Sequence, residues 1–345
     1  MLMELLLSKS PIVGNIRAKC VGDHFKSCVE RATQFNIATG FVSNDSVAAL
    51  KQILEFRNGC MGLNMLIGMN YLDGFTKPQY RAVEDLNRYL DDNNLGKIYV
   101  SPSALYHGKM YSFQKDSSCI GSFVGSSNLA SFVGTDNNLI ESDIMFMDSE
   151  GVAVNQRIMN LISCLGKPIS DVTINSFKQV NGRVLDGYSH VTEIPQEQLH
   201  QLLLERTGES VAVPLKTEAK SNLNTYFGKG KIKGKYSPRG WYEVELIVSK
   251  DLKNVELLPD KDSGPFTVVT EDGYSFTCER QGDSSKNLRS CKDLKILGRW
   301  IKGQMENDGV LDVGTPVTAD TLSKFGRSNI VLEKTKTGVW LMSLK

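Results

Sequence analysis

The stretch Tyr106-His107-Gly108-Lys109-Met110-Tyr111-Ser112-Phe113, with Gly125-Ser126-Ser127-Asn128 behind it, decides how this chain is read. If Tyr106–Phe113 is a strand, His107 and Lys109 share a face, because strand side chains repeat every second residue. The segment Ser122–Asn128 adds a tight, glycine-permitted backbone, a hydroxyl and an amide. An imidazole that can attack or protonate, a fixed cation and neutral donors can together split a phosphodiester through a covalent histidine intermediate, with no metal required.

Outward from this stretch, apolar runs alternate with amphipathic ones. Phe35–Val42, Leu63–Met69, Lys97–Ser101, Cys119–Gly125 and Leu139–Met147 are expected strands. Asp23–Gln34, Ser43–Phe56, Lys77–Leu90 and Glu150–Leu165 are expected helices, the second opening on a cap-like Ser-Asn-Asp-Ser. Strands alternating with helices imply a layered α/β domain over residues 1–175. Residues 176–220 read as a connecting region with a helix at Gln196–Arg206. From 221 to 345 the strands are short and closely spaced: Trp241–Val248, Asn254–Leu258, Phe266–Thr270, Tyr274–Glu279, Asn329–Lys334 and Val339–Ser343, interrupted by a helix near Lys292–Met305. That pattern implies a mostly β barrel-like domain.

Composition places limits on function. The chain has 345 residues, 41% hydrophobic and 23% charged, ordinary for a globular protein of two domains. Its net charge of +1 divides unevenly: from Ser221 onward Lys+Arg 20 stand against Asp+Glu 16, and before it 20 stand against 23. A basic second part points toward a polyanion. The 7 cysteines lack Cys-x-x-Cys spacing and read as reduced thiols of a cytoplasmic protein. The apolar start Met1–Leu7 is too short for a signal-peptide core, no run is long enough to span a bilayer, and no Gly-x-x-x-x-Gly-Lys-Ser/Thr loop is present for ATP.

The basic part has two candidate contact segments. In Gly228–Tyr242, Lys229, Lys231, Lys233 and Lys235 alternate, so a strand would put four ammonium groups on one side, suited to a phosphate backbone. Arg239 follows and could pair with guanine. The loop around Arg280, Gln281, Ser284, Lys286, Asn287 and Arg289 offers side chains of the base-reading type. A Lys-protected edge ribbon and a flexible hairpin tip are the alternative readings of the two segments.

His-x-Lys followed by Gly-Ser-x-Asn resembles the signature of the phospholipase D superfamily. The resemblance implies that His107 is the nucleophile, that Lys109 and Asn128 hold phosphate oxygens, that Ser126 assists, and that an acidic residue, best matched by Glu141, orients the histidine. Gln114 stands where that family often has an Asp. His24-Phe25-Lys26 repeats the short pattern, but in an expected helix and with no Gly-Ser-x-Asn behind it. The second part resembles the B3-like pseudobarrel of certain restriction endonucleases, through Tyr226–Gly230, Pro238–Val244, Gly298–Gly303 and Lys324–Arg327. The whole chain therefore resembles the NgoFVII/NgoAVII-type restriction endonucleases: a phospholipase-D-like mixed-sheet nuclease domain followed by a B3-like reader.

This resemblance implies cleavage of double-stranded DNA with no metal cofactor, and no membrane partner. A single motif copy implies a site completed across a homodimer. It also implies a restriction system with a cognate DNA methyltransferase and a separate ATPase or helicase-like subunit, ATP acting only through that partner. A lipid phosphodiesterase, or a DNA-binding protein whose nuclease needs a partner, are the alternatives.

Overall fold

The computed structural model describes residues 3–8, 19–116, 118–134, 139–179, 183–218, 221, 223–224 and 240–345. They separate into two compact units, one ending at Gln179 and one taking up the described residues from 183 onward. The basic run Lys229, Lys231, Lys233, Lys235 and Arg239 lies outside the described residues.

The first unit is built on a mixed nine-stranded sheet. Its strands are β1 (Met3–Leu7), β2 (Lys19–Cys20), β3 (Gln34–Thr39), β4 (Gly62–Ile67), β5 (Gly96–Val100), β6 (Lys109–Lys115), β7 (Ser118–Gly125), β8 (Ser142–Phe146) and β9 (Lys167–Pro168), in the spatial order β2-β1-β8-β7-β6-β3-β4-β5-β9. Its helices are α1 (Val21–Arg31), α2 (Asn44–Phe56), α3 (Asn70–Asp73), α4 (Lys77–Asp92), α5 (Leu129–Val133) and α6 (Asp148–Leu165). β3 lies in the middle, parallel to β4 and antiparallel to β6, and is buried from Phe35 to Thr39. Strands covered on both faces read as mostly apolar runs, which is why β3 and β4 were legible although Asn36 and Asn64 interrupt them.

The two faces separate by strand alternation. Phe35, Ile37, Leu63, Met65, Tyr111 and Phe113 join α1, α2, α4 and α5 in the main core, where Phe35 and Phe113 stack at 3.9 Å between ring centroids. Ala38 and Leu66 point the other way and pack with Ile158 and Ile162 of α6. Helix starts follow local chemistry. Ser43 and Ser46 form a reciprocal capping box on α2, and Thr76 and Gln79 form another on α4.

The second unit carries an eight-stranded sheet. β11 (Arg206–Pro214), β16 (Asn329–Thr335), β17 (Trp340–Leu344), β13 (Phe266–Thr270), β14 (Tyr274–Gln281), β15 (Asn287–Ser290) and β12 (Leu246–Ile247) run in that order, and β10 (Thr192–Glu193) pairs with β14. The pairings are antiparallel except β13 with β17. This is a curled half-barrel. Helices α7 (Gln196–Leu204), α8 (Lys295–Asn307) and α9 (Ala319–Phe325) accompany it, and α8 buries Ile296, Leu297, Trp300, Ile301 and Met305.

Several expectations change. Residues 176–220, read as a connection, contribute β10, α7 and the edge strand β11 to this second unit. Val211 and Val213 of β11 are fully buried, but Gly208, at φ +79°, and a register shift between Arg206 and Ser210 interrupt the alternation. Asn254–Leu258 is not a strand: Asn254 takes a left-handed conformation that starts a 3₁₀ turn over Val255–Leu257. Only Leu246–Ile247 of the expected strand Trp241–Val248 pairs, because Trp241 and Tyr242 are held elsewhere by side-chain bonds.

Candidate active site

The motif residues meet at one edge of the first sheet because β6, β7 and β8 run back and forth. The register pairs Thr39, ending β3, with Lys109, starting β6. It then pairs Met110 with Val124 and Gly125, ending β7, with Asp143 at the start of β8. Strand ends distant in sequence thereby become neighbours.

The expected strand at Tyr106–Phe113 begins only at Lys109, so strand alternation is not what joins the pair. His107 lies in the preceding loop and is exposed, while Lys109 is 9% exposed. The lysine side chain turns back: its Nζ donates to the His107 carbonyl at 3.0 Å and lies 3.3 Å from His107 Nε2. Lys109 Nζ and His107 Nε2 are therefore within hydrogen-bond distance, with the proton's place set by the imidazole tautomer. Gly40 makes room for the ring; a Cβ there would meet His107 Cδ2 at 2.9 Å and His107 Cα at 3.1 Å. The Phe41 ring meets the imidazole edge-on at 5.6 Å between centroids. Burial draws the Lys109 ammonium below its ordinary range, and the Glu141 carboxylate opposes that shift by its charge.

Ser126 follows β7 and is tied to β8. Its N–H donates to Ser142 O at 3.0 Å, and its hydroxyl accepts from Ser142 N–H at 3.1 Å. The hydroxyl donates to the Glu141 carboxylate. Glu141 itself is pinned by Ser8, which accepts its N–H at 2.8 Å. Among the described residues, the hydrogen-bond partner of the Glu141 side chain is Ser126, not His107. Asn128 precedes α5, and its Oδ1 is buried with no hydrogen-bond partner among the described residues. The strand pairings thus bring Lys109 and His107, at and just before the start of β6, and Ser126 and Asn128, after β7, to the same end of the sheet.

Two residues outside the motif reading belong to the same edge. Asp143 is 1% exposed and accepts from Ser127 Oγ at 2.5 Å and from Ser127 N–H at 3.3 Å. Tyr111, fully buried, donates to Ser127 O at 3.0 Å. The inward alternation of β8 marks Asp143 as buried, but its partner follows only from the β7–β8 pairing.

The second candidate segment is a loop between β14 and β15. Gly282, Ser284 and Ser285 all have positive φ, and Ser284 and Lys286 are exposed. Arg280 takes a different part from the expected contact: it is 6% exposed, and its Nε and Nη1 donate to Ser285 O at 2.6 Å and Leu258 O at 3.2 Å. It therefore props the loop from inside. Arg289 pairs with Glu279 at 2.9 Å and Glu245 at 3.4 Å, and Gln281 donates to Glu279 at 3.2 Å. Asn287 is half-buried, and its Oδ1 lacks a hydrogen-bond partner among the described residues.

Fold and site define a phospholipase-D-type nuclease domain followed by a B3-like DNA-binding domain. Two family models match the chain in that order: the NgoFVII restriction endonuclease N-terminal PLD domain over residues 19–165, and the NgoFVII C-terminal B3-like DNA-binding domain over residues 203–336. The chain belongs to the NgoFVII restriction endonuclease family, and it is a nuclease with a DNA-binding domain.

None of the curated proteins compared matches it. Among solved structures, it is similar to the phospholipase D family member Nuc from Salmonella typhimurium, at 12% identity and TM-score 0.30, covering 48% of this chain and 96% of that one. It is also similar to NucT from Helicobacter pylori, at 15% identity and TM-score 0.28, covering 48% and 99%. A third is phosphatidylserine synthase from Haemophilus influenzae, at 15% identity and TM-score 0.33, covering 48% and 39%. No helix among the described residues is long and apolar enough to cross a membrane.

Proposed function

We propose that this protein is a sequence-specific endonuclease for double-stranded DNA that cuts through a phosphohistidine, without a metal ion in the chemical step. The observation that carries the reading is the exposed His107 imidazole, with Nε2 3.3 Å from the Lys109 ammonium and Ser126, Asn128 and Glu141 at the same sheet edge. Nε2 attacks phosphorus and the 3′ oxygen leaves. The downstream strand then remains joined to His107 through its 5′ phosphate. Lys109 and Asn128 hold the non-bridging oxygens as negative charge builds on them. Water then breaks the N–P bond and restores the imidazole.

Departure of the 3′ oxygen requires a proton, and the chain has one copy of the motif. The donor in this reading is His107 of a second, identical chain across a two-fold axis, the same imidazole later drawing the proton from the attacking water. The reading further places the protein beside a DNA methyltransferase and an ATP-driven partner subunit. The test is cleavage of plasmid DNA in EDTA, with and without a candidate ATPase subunit. H107A should abolish cutting and keep DNA binding; loss of both together would make His107 structural. Mixing H107A with wild-type chains should give inactive heterodimers, and a fully active monomer would exclude the shared site.

A further inference from the structure

Between the two motif residues Ser126 and Asn128 stands Ser127, which the phosphate-binding pattern leaves unspecified. In the structure it is the buried residue of the turn. It is fully buried, and all three of its polar groups are engaged by other strands. Its hydroxyl and N–H go to the two carboxylate oxygens of Asp143, at 2.5 and 3.3 Å, and its carbonyl takes the Tyr111 hydroxyl at 3.0 Å. Tyr111 Oη also lies 3.4 Å from Thr39 Oγ1, and Thr39 is the register partner of Lys109. Gly125 completes the fit, because a Cβ there would fall 2.3 Å from Asp143 Oδ1. Burial pushes the Asp143 carboxyl up, and the two donations from Ser127 oppose the shift.

We propose that Asp143 is a positioning residue of the nuclease site, whose buried carboxylate clamps Ser127 and so fixes the hydroxyl of Ser126 and the amide of Asn128 against the phosphate. The inference rests on the reading that Ser126 and Asn128 serve the reacting phosphate. The physical case is the cost of the arrangement. A carboxylate removed from water is retained only where its lone pairs are satisfied, and both oxygens of Asp143 are satisfied by one residue of the turn. Ser127 is thereby a fixed peg, with Ser126 exposed and Asn128 half-buried on either side of it. A turn that must hold two donors at defined places gains from such a peg, since a misplacement of 1 Å can cost about 100-fold in rate.

The test uses the full chain and a small chromogenic phosphodiester, bis(p-nitrophenyl) phosphate, which requires no DNA recognition. D143N keeps the shape but turns one amide donor toward a donor of Ser127. S127A removes the hydroxyl and leaves a carboxylate oxygen without its partner. Each should lower kcat by about 10- to 100-fold, with KM for the small ester and DNA affinity little changed. The double variant D143N/S127A should lose less than the product of the two, because the opposed donors no longer meet. S127A keeps the inference testable if D143N fails to fold. Wild-type kcat in folded S127A and D143N would overturn it, as would losses that match only the unfolded fraction seen by circular dichroism. H107A is assayed beside them. An inactive H107A with unimpaired D143N defeats this inference alone, and an active H107A defeats the site reading beneath it.

Discussion

Two turns at sheet edges, Gly125–Asn128 in the first unit and Gly282–Lys286 in the second, use the same device with opposite charge. Each has one buried serine, Ser127 or Ser285, and each has one charged side chain underneath. Under the first the charge is an anion, Asp143, collecting the N–H and hydroxyl of Ser127. Under the second it is a cation, Arg280, collecting the carbonyls of Ser285 and Leu258. The sign follows from which backbone groups the turn leaves unpaired, since buried polar groups cost free energy without a partner. The outward faces differ too. The first turn carries the hydroxyl of Ser126 and the amide of Asn128, which the proposed function assigns to the reacting phosphate. The second exposes Ser284 and Lys286 and has no imidazole near in sequence, the parts of a contact surface.

The largest expected effect separates the two turns outright. H107A should lower DNA cleavage by roughly 10⁴-fold or more, while filter binding of the same DNA stays at the wild-type level. Equal loss in both assays would show that the two units do not divide the work.

A second contrast is in pH. Glu306 of α8 is 7% exposed and accepts from Trp241 Nε1 at 2.7 Å and Tyr242 Oη at 2.8 Å, with Lys302 and Arg299 on the same helix. Burial pushes its carboxyl up to about 7 against those neighbours. A folded value raised above the ordinary 4.5 stabilises most below pH 4.5, and the gain is lost as pH rises through 7. The second unit should therefore lose roughly 2–3 kcal/mol from this group between pH 4.5 and 8. Urea unfolding of wild type and E306Q checks this: E306Q should flatten the profile, and an unchanged slope would remove Glu306 as its source.

R280A should cost about 1–3 kcal/mol, because two carbonyls lose a buried donor, and it should weaken DNA binding while sparing hydrolysis of a small phosphodiester. R280K keeps the charge without the planar fork and should recover little. Full recovery of stability by R280K would show that charge, not geometry, supports the loop. The smallest effect belongs to K286A. If Lys286 meets one phosphate, the slope of log affinity against log salt should fall by about 0.9; an unchanged slope would place it away from the DNA backbone.

What could be read from sequence divides along the same line as the two turns. The candidates His107, Lys109, Ser126 and Asn128 could be named from sequence because the motif keeps them in a short stretch of chain. Asp143 was not, because its partner is set by the β7–β8 register, a long-range fact. Strand β3 was legible as a short, mostly apolar run despite Asn36, whereas β11 was hidden by Gly208 and a register shift. Arg280 shows the opposite error. Its residue type suits base recognition, and only burial shows that its guanidinium faces inward. Trp241 and Tyr242 open a stretch of alternating apolar and acidic residues that reads as strand, yet the buried Glu306 carboxylate holds both of them in a turn.

The most direct test of the central claim is to trap the covalent intermediate. Duplex DNA labelled at the scissile phosphate is mixed with the protein in EDTA, together with its ATPase subunit if cutting requires one, and quenched in alkaline detergent. The label should remain on protein and map to the peptide containing His107, joined through the 5′ phosphate of the downstream strand, and it should be absent from H107A. Cleavage that proceeds with no label on His107, or that occurs only when a divalent metal is restored, would contradict the account.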